Sequence, residues 1–414
     1  MMMTATPPCL LPSHVEVLIA GAGPAGSALA WHLARAGCRV LVVDRASFPR
    51  DKACSEYMSP ETVRLLDRIG VVPALEAAGA QPLRGTSVFA SGGSQLSGEF
   101  ARLSTPPWRE TGLSISRRLL DHELVKAARA AGAMVLERVT VTGLVSRVRQ
   151  VEGLTLRDEA GVFHEVRARL TVGADGLHSV VARRGADHSL GVPARMGFVA
   201  HVAAVSGLTD KAEMHVGRRG YAGLNPIGRG VANVALVVPT RRATAASGSV
   251  ERFFFDELEQ LPGVAGRVER TQLVREIMVT GPFASRSRPV VRDGAMLVGD
   301  AADFFDPFTG EGIYRALRGA ELAAEVVAPL LTKSSPISAK ALAPYVSARR
   351  RAFLGTWGVE RLIGYAMLWP ELFDHAVERL GRRVGMADTL IGVTGDCLPA
   401  AAVLNPYFLA RMLI

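Results

Sequence analysis

Residues 15–44, VEVLIAGAGPAGSALAWHLARAGCRVLVVD, constrain the fold more than any other stretch of the chain. Val15 to Ala20 is a short apolar run, rich in β-branched residues, of the kind that forms a buried parallel strand. Gly21, Gly23 and Gly26 follow in G-x-G-x-x-G spacing, and Ser27 to Ala36 are mostly good helix formers. Gly37 ends that helix, and Arg39 to Val43 reads as a second buried strand closing on Asp44. Each glycine answers a separate steric demand. Gly21 makes the tight turn, Gly23 lets a pyrophosphate approach bare backbone, and Gly26 lets helix pack on strand. The helix N-terminus adds free N–H groups and the positive end of its dipole. Asp44, 18 residues beyond Gly26, stands where a ribose-hydroxyl acceptor belongs, with Arg45 beside it as a further candidate contact. Strand, glycines, helix, second strand and terminal acid together predict dinucleotide binding.

Composition limits the partners. The 414 residues carry 48 Lys and Arg against 39 Asp and Glu, for a net charge of +9. Arginines are spread along the chain and aromatics are only 6% of it, too few for stacking platforms, so nucleic acid is not an expected partner. Although 49% of residues are hydrophobic, no run approaches the ~18 uninterrupted apolar residues of a membrane span. The opening MMMTATPPCLLPSH lacks a positive n-region and a long h-region, and reads as a short leader. Cys9, Cys38, Cys54 and Cys397 have neither paired nor metal-ligand spacing, which fits free thiols in a cytoplasmic protein without a bound metal.

Along the chain, Ser59 is placed to cap a helix with Pro60 at its first position and Gly70 at its stop. Pro82 to Phe100 alternates loosely like antiparallel strands, Ile115 to Gly132 reads as a helix, and Met134 to Leu170 as a meander of strands. Ala168 to Gly176 is another buried strand, Ala194 to Pro282 is β-rich around a helical ERFFFDELEQL, and Gly294 to Gly299 leads to Asp300. The expected fold class is α/β: a parallel, Rossmann-like dinucleotide-binding sheet, an inserted antiparallel β substrate domain and a helical C-terminus. The expected division is 1–80, 116–190 and 281–330 for the cofactor domain, 81–115 and 191–280 for the substrate domain, and 331–414 for the helical region.

Three separated motifs converge on one identity: GAGPAG at 21–26, GADGLHS at 173–179 and GDAADFFDPFTGEGI at 299–313. Together they resemble the fingerprints of FAD-dependent oxidoreductases of the aromatic-hydroxylase superfamily. PFTGEGIYRAL with KACSEYMSP is most similar to its geranylgeranyl-reductase branch. The resemblance implies FAD as cofactor, with Asp300 on the ribityl chain and Arg117, in its R-x-x-L-D setting, also on FAD. Gly310 and Gly312 then present bare backbone near the flavin pyrimidine edge, where reduced flavin carries negative charge. No second G-x-G-x-x-G follows a strand, so NAD(P)H, the expected electron donor, would dock without a Rossmann domain of its own.

Two departures from the branch pattern bear on the substrate. A Tyr-x-Trp-x-Phe-Pro stretch expected over the tunnel is here Tyr221-Ala-Gly-Leu-Asn-Pro226, and Cys-Gly-x-Gly-Leu is here Cys54-Ser-Glu56-Tyr57-Met58. Tyr221, Pro226 and Pro307 are therefore candidate pocket residues for a small lipophilic substrate, isoprenoid, polyketide or aromatic. Cys54, Glu56 and Tyr57 are candidate catalytic residues: a thiol near Lys52, and groups that donate or accept a proton beside flavin N5. The expected reaction is hydride transfer from reduced flavin to an activated double bond. The alternative is monooxygenation of such a substrate with O2 and NAD(P)H, and a lesser one is a non-catalytic flavin-binding protein. The apolar, Arg-dotted C-terminal stretch could cap the tunnel or touch a membrane surface.

Overall fold

The computed structural model describes residues 11–148 and 150–413. Cys9 and most of the leader stretch lie outside the described residues. The chain is organised around an eight-stranded sheet. It begins with β1 (His14–Ala20), α1 (Pro24–Arg35) and β2 (Val40–Val43). After Cys54, β3 (Tyr57–Met58) precedes α2 (Pro60–Ile69). The caps of α2 form as the sequence predicts: Ser59 Oγ accepts from Thr62 N, and Gly70 is left-handed with φ +86°.

The chain then leaves the sheet for β4 (Gly85–Phe89), β5 (Gln95–Glu99) and β6 (Gly112–Ser114). It returns through α3 (Arg117–Ala130), β7 (Met134–Leu136), β8 (Thr140–Arg147), β9 (Gln150–Arg157) and β10 (Phe163–Gly173). The strands β10, β1, β2 and β7 lie side by side, all parallel. β9 and β8 turn back on β10 as an antiparallel flap. The residues facing inward here, such as Leu18, Ile19, Leu41 and Val172, are fully buried, which is why these strands read as unbroken apolar runs.

A second, seven-stranded sheet is built from β11 (Arg195–Ala203), β12 (Lys211–Val216), β13 (Tyr221–Gly228) and β14 (Val231–Pro239), joined by β4 and β5. Its back face carries Phe198, Val234 and Leu236 against α4 (Val250–Leu258). The edge strand β15 (Met278–Thr280) completes it beside β11. The sheet is antiparallel with one exception: β12 and β4 pair in parallel, Lys211 opposite Gly85 through His215 opposite Phe89. That pairing joins segments more than a hundred residues apart, and alternation within either strand carries no mark of its direction.

The chain re-enters the first sheet at β16 (Val291–Arg292) and β17 (Ala295–Leu297), the latter parallel to β10. Helices follow: α5 (Gly312–Leu331), α6 (Ala339–Ala366), α7 (Pro370–Gly381), α8 (Val384–Thr394) and α9 (Pro406–Leu413). Among the described residues, none of these helices is long and apolar enough to cross a membrane. The parallel sheet's carboxyl edge, the front face of the second sheet and the N-terminus of α5 meet in one place.

Candidate active site

The three glycines of the first turn separate cleanly by what surrounds them. Gly21 has φ +96°, and a Cβ there would stand 2.5 Å from the Ala174 carbonyl oxygen. A Cβ on Gly26 would stand 1.9 Å from the Gly21 carbonyl oxygen, so α1 can cross this close only without a side chain. Gly23 is different. Its Cβ would meet nothing closer than Arg50 Nη2 at 3.7 Å and Arg117 Nη2 at 3.9 Å. Bare backbone at the start of α1 therefore opens toward two guanidiniums.

Both guanidiniums are held by one buried carboxylate. Arg117, at the first turn of α3, donates Nε and Nη2 to the two oxygens of Asp121 at 2.7 and 2.9 Å. Arg50 Nη1 lies 2.9 Å from Asp121 Oδ2. Two cations against one anion leave positive charge beside Gly23, as an anionic diphosphate requires. Lys52 is close enough that burial, and then Arg117, lower its pKa. Asp44 closes β2 as expected, its carboxylate accepting from Ala22 N and Ala46 N at 2.8 and 2.9 Å, while Arg45 is exposed at the rim.

At the other end, Asp300 sits in the turn that follows β17, half-buried. Its carboxylate accepts no hydrogen bond among the described residues, and burial raises its pKa to about 6 against the pull of Arg117 and Lys52. Gly310 is left-handed at φ +73°, and a Cβ there would lie 2.7 Å from the Tyr57 ring. A Cβ on Gly312 would find only Phe304 Cε2, at 3.7 Å. No side chain caps the start of α5. Its first N–H groups therefore remain available to an acceptor. A free carboxylate, an open phosphate cradle and an uncapped helix end fit the ribityl, diphosphate and pyrimidine parts of FAD.

Between these ends runs the 52–58 segment. Glu56 is buried with φ +60°, a left-handed backbone that non-glycine residues adopt only where the surroundings enforce it. They do so through its carboxylate. Oε1 accepts from Arg117 N at 2.7 Å, and Oε2 bonds His201 Nε2 at 2.7 Å and Asn233 Nδ2 at 3.0 Å. Asn233 also donates to the Cys54 carbonyl at 2.8 Å, and Ser114 Oγ to that of Glu56 at 2.9 Å. The second sheet thus grips the segment through His201 on β11 and Asn233 on β14. Cys54 is half-buried, its sulfur accepting from Glu56 N at 3.4 Å. Tyr57 is buried, and loss of solvent raises its hydroxyl pKa far above the ordinary value.

A second buried network runs from the second sheet to α5. Tyr221 donates its hydroxyl to Asp306 Oδ1 at 2.6 Å, and Arg195 Nη1 reaches Asp306 Oδ2 at 2.5 Å. Asp306 N donates to Glu360 Oε1 at 3.3 Å, and Arg315 Nη1 bonds Glu360 Oε2 at 2.9 Å. Arg315 also pairs with Glu311. Tyr221 is therefore engaged with Asp306, while Pro307, in the turn beyond Asp306, and Pro226, on β13, are half-buried.

Burial pushes the Glu360 carboxyl from its ordinary 4.5 up to about 7, although Arg315 opposes the shift. Between those values the folded chain keeps a proton that the unfolded chain has released. Stability should therefore decline as pH rises through this window, by up to about 3 kcal/mol from this group. Thermal melts from pH 4.5 to 8 should show a shallower decline in Glu360→Gln than in the unaltered protein. Equal slopes would contradict the assignment.

Comparison with known proteins agrees with this geometry. A family model described as "FAD binding domain" matches residues 14–353. The chain belongs to this FAD-binding family. FAD-dependent oxidoreductases of the geranylgeranyl-reductase type are among its relatives. A digeranylgeranylglycerophospholipid reductase of Methanopyrus kandleri is 32% identical over 365 residues, covering 86% of this chain and 91% of that protein. A menaquinone reductase of Mycobacterium tuberculosis is 31% identical over 326 residues, 75% and 76% of the two chains. The solved structure of a geranylgeranyl bacteriochlorophyll reductase-like protein from Thermoplasma acidophilum superposes with TM-score 0.76 at 22% identity, covering 97% of this chain and all (100%) of that one. The protein is an FAD-dependent oxidoreductase with the flavoprotein fold that its three motifs imply. Sequence reading missed Asp121 as the clamp of Arg50 and Arg117, and His201 and Asn233 as the partners of Glu56. Only the R-x-x-L-D motif, which already contains Asp121, held a local clue.

Proposed function

We propose that this flavoprotein reduces a lipophilic quinone or isoprenoid, with NAD(P)H as electron donor. When bound, FAD supplies a carrier that takes hydride from NAD(P)H and delivers it to an electron-poor double bond or quinone ring. The observation that carries the reading is the buried Glu56–His201 hydrogen bond, anchored on the same residue, Arg117, that faces the phosphate cradle. Reduction needs a proton as well as a hydride, and this pair holds one between Oε2 and Nε2 beside the cofactor site. In this reading Gly23, Arg50 and Arg117 bind the diphosphate, Asp300 accepts from the ribityl hydroxyls, and the α5 N-terminus favours negative charge on the reduced ring. Cys54, Glu56 and Tyr57 line the substrate face, while Tyr221, Pro226 and Pro307 shape the pocket. The named activities of the two relatives support reduction over oxygenation.

The direct test is anaerobic. Reduced holoprotein mixed with a menaquinone-type quinone should recover its oxidised flavin spectrum without O2. Reoxidation only after O2 is admitted would overturn the proposal. Within it, Cys54→Ala and Glu56→Gln should each retain FAD yet lower steady-state turnover by at least ~10-fold, about 1.4 kcal/mol of barrier. Unchanged turnover in both variants would mean that the segment only shapes the pocket.

A further inference from the structure

The helices that follow the site leave an apolar patch uncovered. On the second half of α6, Leu354, Leu362 and Tyr365 are exposed on one side of the helix, and the apolar exposure continues into the turn before α7. There Leu368 is 51% and Trp369 58% exposed. Tyr407 on α9, a helix packed against α7, is 69% exposed. Isolated apolar side chains at a surface are ordinary, but several gathered at one helix end and its following turn, with a tyrosine and a tryptophan among them, are not.

Arginine dominates the charge beside this surface; the exposed Glu371, two residues beyond Trp369, is paired with the exposed Arg218. Arg350, Arg351 and Arg361 stand exposed on α6, and none forms an ion pair among the described residues. Arg361 lies over the Phe305 ring, 5.4 Å from its centroid, and Phe305 packs against Tyr365 at 6.2 Å. Between Arg361 and Tyr365, the Gly364 carbonyl accepts from Arg195 Nη2 at 3.0 Å. Phe305 is the neighbour of Asp306, the acceptor of the Tyr221 hydroxyl. The patch thus runs from open surface to the edge of the candidate site.

We propose that this surface seats the protein on the anionic face of a lipid bilayer, with the Phe305–Tyr365 corner as the side from which a lipophilic substrate reaches the site. The apolar side chains and Trp369 enter the interface, and the unpaired arginines meet lipid phosphates. In this proposal the protein lies on the membrane, since no helix among the described residues is long and apolar enough to span it. The seating rests on surface chemistry, whereas the substrate route rests on the lipophilic-substrate reading above.

Co-sedimentation of the holoprotein with phosphatidylglycerol and with phosphatidylcholine vesicles tests it. Binding should be strong on phosphatidylglycerol, weaker on phosphatidylcholine and weakened by salt. Leu368→Glu combined with Trp369→Glu should reduce partitioning at least ~10-fold. Arg350→Glu combined with Arg351→Glu should reduce it about thirtyfold on phosphatidylglycerol, since each basic residue near the surface contributes about a fivefold preference. Phe163→Glu, at an exposed position on β10, should change nothing. No vesicle binding, or equal binding by all variants, would overturn the proposal. So would a concentration-dependent dimer abolished by the Leu368→Glu, Trp369→Glu pair, because a second copy would then be the occupant. Turnover of a short-chain, water-soluble quinone without vesicles reports on the functional reading separately. Turnover without vesicle binding sinks only the seating, and vesicle binding without turnover sinks only the reaction.

Discussion

Gly23→Val is expected to give a folded protein that no longer retains FAD. The backbone at Gly23 is extended, with φ −72° and ψ −174°, so a branched residue is tolerated there. Among the described residues, and apart from its chain neighbours, the nearest atom to the Cβ position is Arg50 Nη2 at 3.7 Å, so the fold has room for it. The space it would fill is the one facing Arg50 and Arg117, where a diphosphate must come against bare backbone. FAD affinity should fall at least about 100-fold, near 2.7 kcal/mol, while the melting temperature of the apoprotein stays close to that of the unaltered apoprotein. Gly26→Ala should fail differently. Its single methyl would sit 1.9 Å from a carbonyl oxygen, so α1 must move off the sheet at a cost of at least about 3 kcal/mol. Titration of FAD and melting of both apoproteins distinguish the two outcomes. Unchanged FAD affinity in Gly23→Val would mean that the phosphate site is elsewhere.

Arg117→Leu should be the most damaging single change outside the glycines. It removes one of the two cations beside Gly23 and two charge-assisted hydrogen bonds to Asp121, which is fully buried. Asp121 would keep only Arg50. Stripping one partner from a buried ion pair costs about 3–5 kcal/mol; because Arg50 remains, the lower end applies. FAD binding should fall together with stability, unlike in Gly23→Val. Arg117→Lys should recover part of the stability but not the two-pronged geometry. Chemical denaturation of the apoproteins, followed by FAD titration of those that fold, checks both parts. A stable Arg117→Leu variant with normal FAD affinity would show that Arg50 alone suffices.

How much of this was legible in the sequence depends on the range of the contact. Gly26 meets the Gly21 carbonyl inside one βαβ unit, so its spacing is legible locally, whereas the Ala174 carbonyl beside Gly21 and the guanidiniums of Arg50 and Arg117 facing Gly23 come from distant parts of the chain. Ser59 and Gly70 are likewise local, because a cap and a stop are satisfied within one helix. Asp300 and the Gly310–Gly312 pair were legible through the 299–313 fingerprint and its family resemblance; Asp300 lies in the turn after β17 and Gly312 begins α5. Glu56 could be selected as unusual, but its bonds to His201 and Asn233 span 145 and 177 residues. The β-rich pattern marks β11 and β14 as strands without showing which of their polar residues face the 52–58 segment. The Arg50–Asp121 pair joins a loop to a helix across the fold, and neither residue's neighbours in sequence predict the other. Tyr221 was singled out by pattern as a pocket residue. Its hydrogen bond to Asp306 needed the second sheet and the turn before α5 to be brought together.

The most direct measurement is the mass of the product formed under labelled oxygen. Holoprotein, NAD(P)H and a menaquinone-type or geranylgeranyl substrate would be incubated under 18O2. Reduction predicts a product heavier by a pair of hydrogens per bond or ring reduced, with no 18O, and the same product formed when O2 is left out. A product carrying 18O, formed only in the presence of oxygen, would contradict the account.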